Sequence, residues 1–348
     1  MAGIYVHFPF CTSRCIYCDF YSRVRKDFPE YVDALIREAE DRRGFLKGVP
    51  PATLYFGGGT PSVLPVGELE RLVSALSGSL DLSGVGEFTV EVNPDDIDFD
   101  KAYGFRTLGV TRISMGIQSM NDDHLKWMKR RHTAEDAVRA FKTLRGAGFG
   151  NISVDLIFGY EGLSSQEWGR TIRKVVELFP EHISCYQMMG KYASADDDAC
   201  LSQYLALQSV MGEAGYQQYE ISNYCKPGFH SRHNSAYWRR EPYLGLGAAA
   251  HSFDGGYSRY WNVSDTDAYI AGAPLRGENL TDVEVAEEVI MLGLRTSDGI
   301  PKELVCRNPS YPGFIASGAI IESGDRVRIS PASFFVSDDL ISRLISHI

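Results

Sequence analysis

Six short apolar or β-branched runs, separated by segments of helical periodicity, alternate through the first two-thirds of this chain and favour a parallel α/β sheet. The runs are Gly3–Phe8, Thr53–Phe56, Glu87–Val92, Arg112–Ile117, Asn151–Ile157 and Ile183–Tyr186. Between them, Tyr31–Arg42 sets Leu35, Ile36 and Ala39 on one helical face, and Val66–Leu76 repeats Leu69, Leu72, Val73 and Leu76. Ala134–Ala147 leads into Gly148, a residue suited to a left-handed helix end. Six such units predict an open, partial (β/α)6 barrel in place of a closed eight-unit one. Chemistry in barrels of this kind gathers at the C-terminal ends of the strands.

The first run ends in a loop with three cysteines, Cys11-x-x-x-Cys15-x-x-Cys18. Three thiolates on one short loop suit an iron–sulfur cluster whose fourth iron keeps an open position for another molecule. A structural zinc site closes its tetrahedron with a second Cys or His pair, and Cys185, Cys200, Cys225 and Cys306 are scattered. A disulfide framework belongs to short secreted chains with even cysteine counts; this chain has 348 residues and seven cysteines.

The same strand-end rule gives meaning to other residues. The second run passes into Gly57-Gly58-Gly59-Thr60-Pro61-Ser62, where missing side chains let a ligand approach backbone N–H groups. Glu91 closes the third run, Gln118 follows the fourth, and Asp155 stands alone among the apolar residues of the fifth. A solitary acid there is expensive unless something pairs with it. Singly, each residue is as compatible with a satisfied structural role as with ligand binding; together they describe a polar small-molecule pocket.

The net charge of −10 speaks against a nucleic-acid substrate, since phosphate binding needs concentrated Lys and Arg. The one dense basic stretch, Lys129-Arg130-Arg131-His132, is too short to reverse this. There is no apolar run of membrane-spanning length and no signal-peptide pattern. With oxygen-sensitive thiolates this points to the cytoplasm.

Tyr5-x-His7-x-Pro9-x-Cys11, the cysteine loop and Gly57–Ser62 resemble the radical S-adenosylmethionine superfamily, in the branch of oxygen-independent coproporphyrinogen III dehydrogenase and heme chaperone HemW. The likeness spans nearly the whole chain and is densest at Tyr5–Phe20, Tyr55–Ser62, Gly109–Asn121 and Tyr219–Ser252. It implies a 4Fe-4S cluster on Cys11, Cys15 and Cys18, with S-adenosylmethionine chelated by the open iron and cleaved to a 5′-deoxyadenosyl radical when the cluster supplies an electron. It also implies cofactor contacts from Tyr5, Gly58, Gly59, Thr60, Glu91, Gln118, Arg130 and Asp155. Arg131 adjoins Arg130, and a one-residue slip exchanges them.

Two departures separate the branches. The dehydrogenase pattern continues with a cysteine two residues after the third, where this chain has Phe20, and it carries an arm before its first strand. By resemblance, His233-Asn234-Ser235-Ala236-Tyr237-Trp238 matches the chaperone's His-Asn-x-x-Tyr-Trp signature and makes His233 a candidate heme ligand, against a purely structural role. The expected function is heme chaperoning, with heme and heme-acceptor proteins as partners, membrane respiratory enzymes among the possible acceptors. The alternatives are coproporphyrinogen III decarboxylation or a radical heme-modifying methyl transfer. Turnover of S-adenosylmethionine is not legible in the sequence.

Domain boundaries are expected at 1–215 for the barrel, 216–275 for a connecting segment, and 276–348 for a small C-terminal α+β module resembling a winged helix. In that module Thr281 caps a helix, Ile320–Ile329 forms a hairpin turning at Ser323–Asp325, and Asp338–Ile348 closes the chain as a helix.

Overall fold

The computed structural model describes residues 1–25 and 27–346. Strand and helix alternate as β1 (Ala2–Phe8), α1 (Phe28–Asp41), β2 (Pro51–Gly58), α2 (Val66–Ser79), β3 (Glu87–Val92), α3 (Phe99–Thr107) and β4 (Arg112–Gln118). After α4 (Asp122–Trp127) and α5 (Ala134–Gly146) come β5 (Ile152–Phe158), α6 (Ser165–Val176), β6 (His182–Gln187) and α7 (Asp197–Glu213). Strands β1 to β6 lie side by side in chain order, all parallel. The expected α/β fold with six parallel units is what the chain adopts.

Strand periodicity divides these six strands into two faces. Ile4, Val6, Phe8, Val90, Met115 and Val154 belong to the apolar core packed under the helices. The alternate positions carry Tyr5, His7, Tyr55, Glu91, Arg112, Ser114, Asp155 and His182. Hydrogen bonds between neighbouring strands, Tyr55 to Glu91, Ser114 to Asp155 and Ser153 with His182, tie this second face together. The barrel interior is therefore polar, and the fold's apolar burial lies in the outer layer of helices. Reciprocal capping boxes start α5 (Thr133 with Asp136) and α6 (Ser164 with Glu167). The chain leaves α5 through Gly148 at φ +90°.

Residues 216–275 are woven into the same sheet at both edges. They form β7 (Gln217–Gln218), β8 (Asn223–Cys225), α8 (Arg232–Trp238), β9 (Tyr243–Leu246), β10 (His251–Phe253), β11 (Ser258–Trp261) and α9 (Thr266–Ile270). β8 runs antiparallel beside β6, and β9 runs parallel beside β1. With β10, β11 and β12 (Arg276–Asn279) the sheet reaches twelve strands.

The C-terminal part contains α10 (Asp282–Leu294), β13 (Ile300–Pro301), α11 (Tyr311–Ala316), β14 (Ile320–Ser323), β15 (Arg326–Ile329) and α12 (Ser337–Ile345). Thr281 and Glu284 make a capping box at the start of α10. The hairpin β14–β15 turns through Gly324 at φ +63°, and β13 adds a third antiparallel strand. The last two positions expected in the closing helix, 347 and 348, fall outside the described residues.

Candidate active site

A cavity of about 630 Å³ opens at the C-terminal ends of the parallel strands. Cys11, Cys15 and Cys18 all line it, together with residues from β2 to β6. The cysteine loop is tied down on its far side: Arg23 N–H donates to Pro9 O (2.6 Å), and Cys11 N–H donates to Arg23 O (3.0 Å). Tyr21 then meets Thr266 at the start of α9, its hydroxyl accepting from the Thr266 N–H at 2.7 Å. The three thiols are free of disulfides and half-buried. Among the described residues, no three His, Cys, Asp or Glu side chains converge closely enough for a single metal ion. Three free thiols facing one cavity fit a larger cluster with one open iron. Burial pushes the Cys11 and Cys18 thiols up, and the charge of a bound metal is what holds such groups as thiolates.

The glycine loop is more occupied than its sequence suggests. Gly58 N–H donates to Glu91 Oε2 (3.1 Å), Gly59 N–H to Phe8 O (2.8 Å) and Thr60 N–H to Phe10 O (2.7 Å). The Gly59 and Thr60 amides hold β2 against β1 and its continuation, and the Gly58 amide ties it to β3, so none of the three is a free donor for a ligand. The missing side chains let the loop pack directly on β1: a Cβ on Gly59 would meet Phe8 O at 2.6 Å and Phe10 O at 2.7 Å, and one on Gly58 (φ +103°) would meet the His7 ring at 2.4 Å. Thr60 turns its hydroxyl to Cys11 Sγ (3.5 Å) and accepts from Asn93 Nδ2 (3.2 Å).

Glu91 is the organising acid. It accepts from Tyr55 Oη at 2.7 Å as well as from Gly58. Burial pushes its pKa up to about 7; the Tyr55 bond opposes this and neighbouring Asp155 adds to it. Asp155 is likewise raised by burial, with the Ser184 and Ser114 hydroxyls working against that rise. Gln118 sits at a β-bulge of β4 with φ +68°, an uncommon conformation for a glutamine. There its amide folds over Gly116, whose absent Cβ would meet Nε2 at 2.6 Å.

The two adjacent arginines part company. Arg130 reaches inward, donating to Asn93 Oδ1 (2.5 Å) and Gly116 O (2.7 Å), with Nη1 3.6 Å from Cys15 Sγ. Arg131 also borders the cavity but pairs with Asp95 and Asp96. Arg130 is thus the residue placed between the cysteine loop and the strand ends.

Tyr5 and His233 are not brought onto the cavity wall with the others. The Tyr5 hydroxyl lies 3.0 Å from His7 Nδ1, while His7 Nε2 faces Tyr21 O at 2.9 Å. Because a carbonyl only accepts, Nε2 carries the His7 proton and Tyr5 donates to Nδ1. His233 lies buried with Nδ1 2.7 Å from Thr53 Oγ1 and Nε2 2.9 Å from Tyr237 Oη. Burial lowers its pKa to about 3, and neither ring nitrogen is free. Its neighbour Asn234 is the signature residue that does line the cavity.

Sequence reading missed Arg112, Tyr17, Tyr55, Asn93, Ser184 and Asn234, all on the wall. Arg112 had a visible signal, as a charged residue in phase with Ser114 and Gln118 on an otherwise apolar strand.

The sequence profile of the Radical SAM superfamily matches residues 5–175. The chain is 34% identical over 325 residues to heme chaperone HemW of Bacillus subtilis, covering 87% of this chain and 86% of that one. It is 32% identical over 357 residues to heme chaperone HemW of Escherichia coli, covering 94% of each. In structure it is similar to coproporphyrinogen III oxidase of Escherichia coli, described as a radical SAM enzyme, with TM-score 0.85 and 19% identity, over 100% of this chain and 90% of that one.

Proposed function

Since this chain belongs to the radical S-adenosylmethionine superfamily, in the branch of heme chaperone HemW, we propose that it binds a 4Fe-4S cluster, S-adenosylmethionine and heme, and delivers heme to acceptor proteins. The superfamily implies the first two ligands, and the cavity has residues to hold them. Cys11, Cys15 and Cys18 would hold the cluster through three of its irons, leaving one iron position for the sulfonium cofactor. Reductive cleavage of that sulfonium is the chemistry the pair supplies when bound.

The protein's own part is placement. Glu91 and Asp155 accept from ribose hydroxyls or an ammonium, the Arg130 guanidinium meets a carboxylate, and the glycine loop lines the cavity beside them. Tyr55 and Gly58 hold Glu91 in one orientation, so its carboxylate is set before the cofactor arrives.

The observation that carries the heme reading is the 32–34% identity to heme chaperones over nearly whole chains. Phe20 supports it: the side chain is 66% exposed and borders the cavity where the dehydrogenase pattern has a cysteine. Among the described residues no helix is long and apolar enough to cross a membrane.

Anaerobic reconstitution, followed by heme titration and a coproporphyrinogen III assay on the same sample, tests this function. Stoichiometric heme binding, transfer that depends on the cluster and no protoporphyrinogen are expected. Multiple-turnover decarboxylation would overturn the reading in favour of the dehydrogenase.

A further inference from the structure

At the base of the cavity the barrel buries a cation that has no hydrogen-bonded side-chain partner among the described residues. Arg112 is 1% exposed, yet it lines the cavity wall. Its Nε has no hydrogen-bond partner, and among the described residues its guanidinium forms no ion pair and no side-chain hydrogen bond. The neighbouring charges are engaged: Glu91 by Tyr55 and Gly58, Asp155 by Ser114, and Arg130, whose Nε is also without a partner, by Asn93 and Gly116 through Nη2. An unpaired guanidinium in a wall of this kind is costly, and its planar fork matches a carboxylate.

The register fixes its depth. Glu91 pairs across the sheet with Ser114, Thr89 with Arg112, and Asp155 with Gly116 and Ser184, so Arg112 stands one interior layer below Glu91 and two below Asp155 and Ser184. Asn234 of α8 and Ser184 of β6 border the same cavity. The amide of Asn234 carries donors that can complete a carboxylate's hydrogen bonds.

We propose that Arg112, with Asn234, forms a carboxylate seat at the base of the cavity, beneath the level assigned to S-adenosylmethionine. The acid it takes is either a propionate arm of a porphyrin or a free small carboxylate. The porphyrin source rests on the proposed function; the seat does not.

The test uses the reconstituted holoprotein, Arg112→Gln and Arg112→Lys, with three probes: hemin, hemin dimethyl ester and propionate alone. If the porphyrin supplies the acid, the wild type binds hemin roughly tenfold or more tighter than the ester, as expected for a charge-assisted hydrogen bond. Arg112→Gln erases that difference and Arg112→Lys keeps part of it. If hemin and ester bind alike, or neither binds, the propionate arm decides. A rise in thermal midpoint with propionate in the wild type, absent in Arg112→Gln, shows the seat with a free acid as its source. No effect of propionate overturns the seat. Failure of hemin to bind at all defeats the chaperone reading and leaves the propionate result to judge Arg112. Should Arg112→Gln lose its circular-dichroism signal, the acid–ester and propionate comparisons on the wild type carry the test.

Discussion

Replacing Gly58 by alanine introduces two separable penalties. Backbone strain comes first, because φ is +103° and an L side chain resists that region by about 1–2 kcal/mol. Collision comes second, because the new Cβ falls 2.4 Å from the His7 ring. That ring cannot swing away without breaking its bonds to Tyr5 Oη and Tyr21 O, so overpacking adds about 1–3 kcal/mol. The sum is about 2–5 kcal/mol, measured as a loss of urea stability in the cluster-free chain. His7→Ala opens the space that the Cβ needs. In that background Gly58→Ala is expected to cost only the strain of about 1–2 kcal/mol, a coupling readable in a double-mutant cycle. Equal costs in the two backgrounds, or less than about 0.5 kcal/mol in the wild type, would refute the reasoning, since surface-like tolerance is incompatible with a ring fixed at that distance.

Three other outcomes are expected. Cys11→Ala, Cys15→Ala and Cys18→Ala should each abolish iron–sulfur absorbance after anaerobic reconstitution, while Cys185→Ala, Cys200→Ala, Cys225→Ala and Cys306→Ala keep it; zinc without iron in anaerobically purified protein would sink the assignment. Arg130→Gln should weaken S-adenosylmethionine binding in calorimetry by tenfold or more, as for a lost charged hydrogen bond, and Arg131→Gln should leave it within about twofold; the reverse order would exchange their roles. Burial lowers His7 and His132 to about 4 and His233 to about 3. Below about pH 6.5 the unfolded chain therefore binds protons that the fold refuses, and stability falls with falling pH by about 1.4 kcal/mol per unit for each such histidine. Glu91, raised to about 7, acts in the opposite sense, losing stability as pH rises from about 4.5 toward 7. His233→Gln should remove one proton's worth of the net slope between pH 5 and 7 in urea unfolding; an unchanged slope would mean that His233 titrates normally.

The parallel strands were legible because each is a run of core residues long enough to stand out from its surroundings. β9 to β12 were not, being three or four residues long and half-exposed on β11 and exposed on β12; pairing with existing strands defines them, and pairing has no local signature. The cysteine loop and the strand-end acids were readable from residue type and position. The glycine loop misled in one respect: three glycines suggest open amides, yet the amides of Gly58, Gly59 and Thr60 are consumed by Glu91, Phe8 and Phe10. Burial of an imidazole between Thr53 and Tyr237 depends on contacts from β2 and α8 that sequence spacing does not reveal. Arg112 escaped notice because attention to strand ends passes over a residue near a strand's start.

The neighbour of β1 on one side is β2, but on the other it is β9, with Gly3 opposite Tyr243 and Val6 opposite Leu246. During synthesis the first strand therefore waits with one edge bare until some 240 residues have followed it, roughly 10–50 s at ribosomal rates. The cysteine loop waits longer, because Tyr21 and Arg25 are clamped by Thr266 and Asp267 of α9. If the proposed cluster needs this closed loop, its loading is a late event in synthesis. Stalled nascent chains ending before β9 should take up no cluster, and efficient loading on such chains would contradict this order. Until β9 arrives, that bare edge is a template on which another chain could pair.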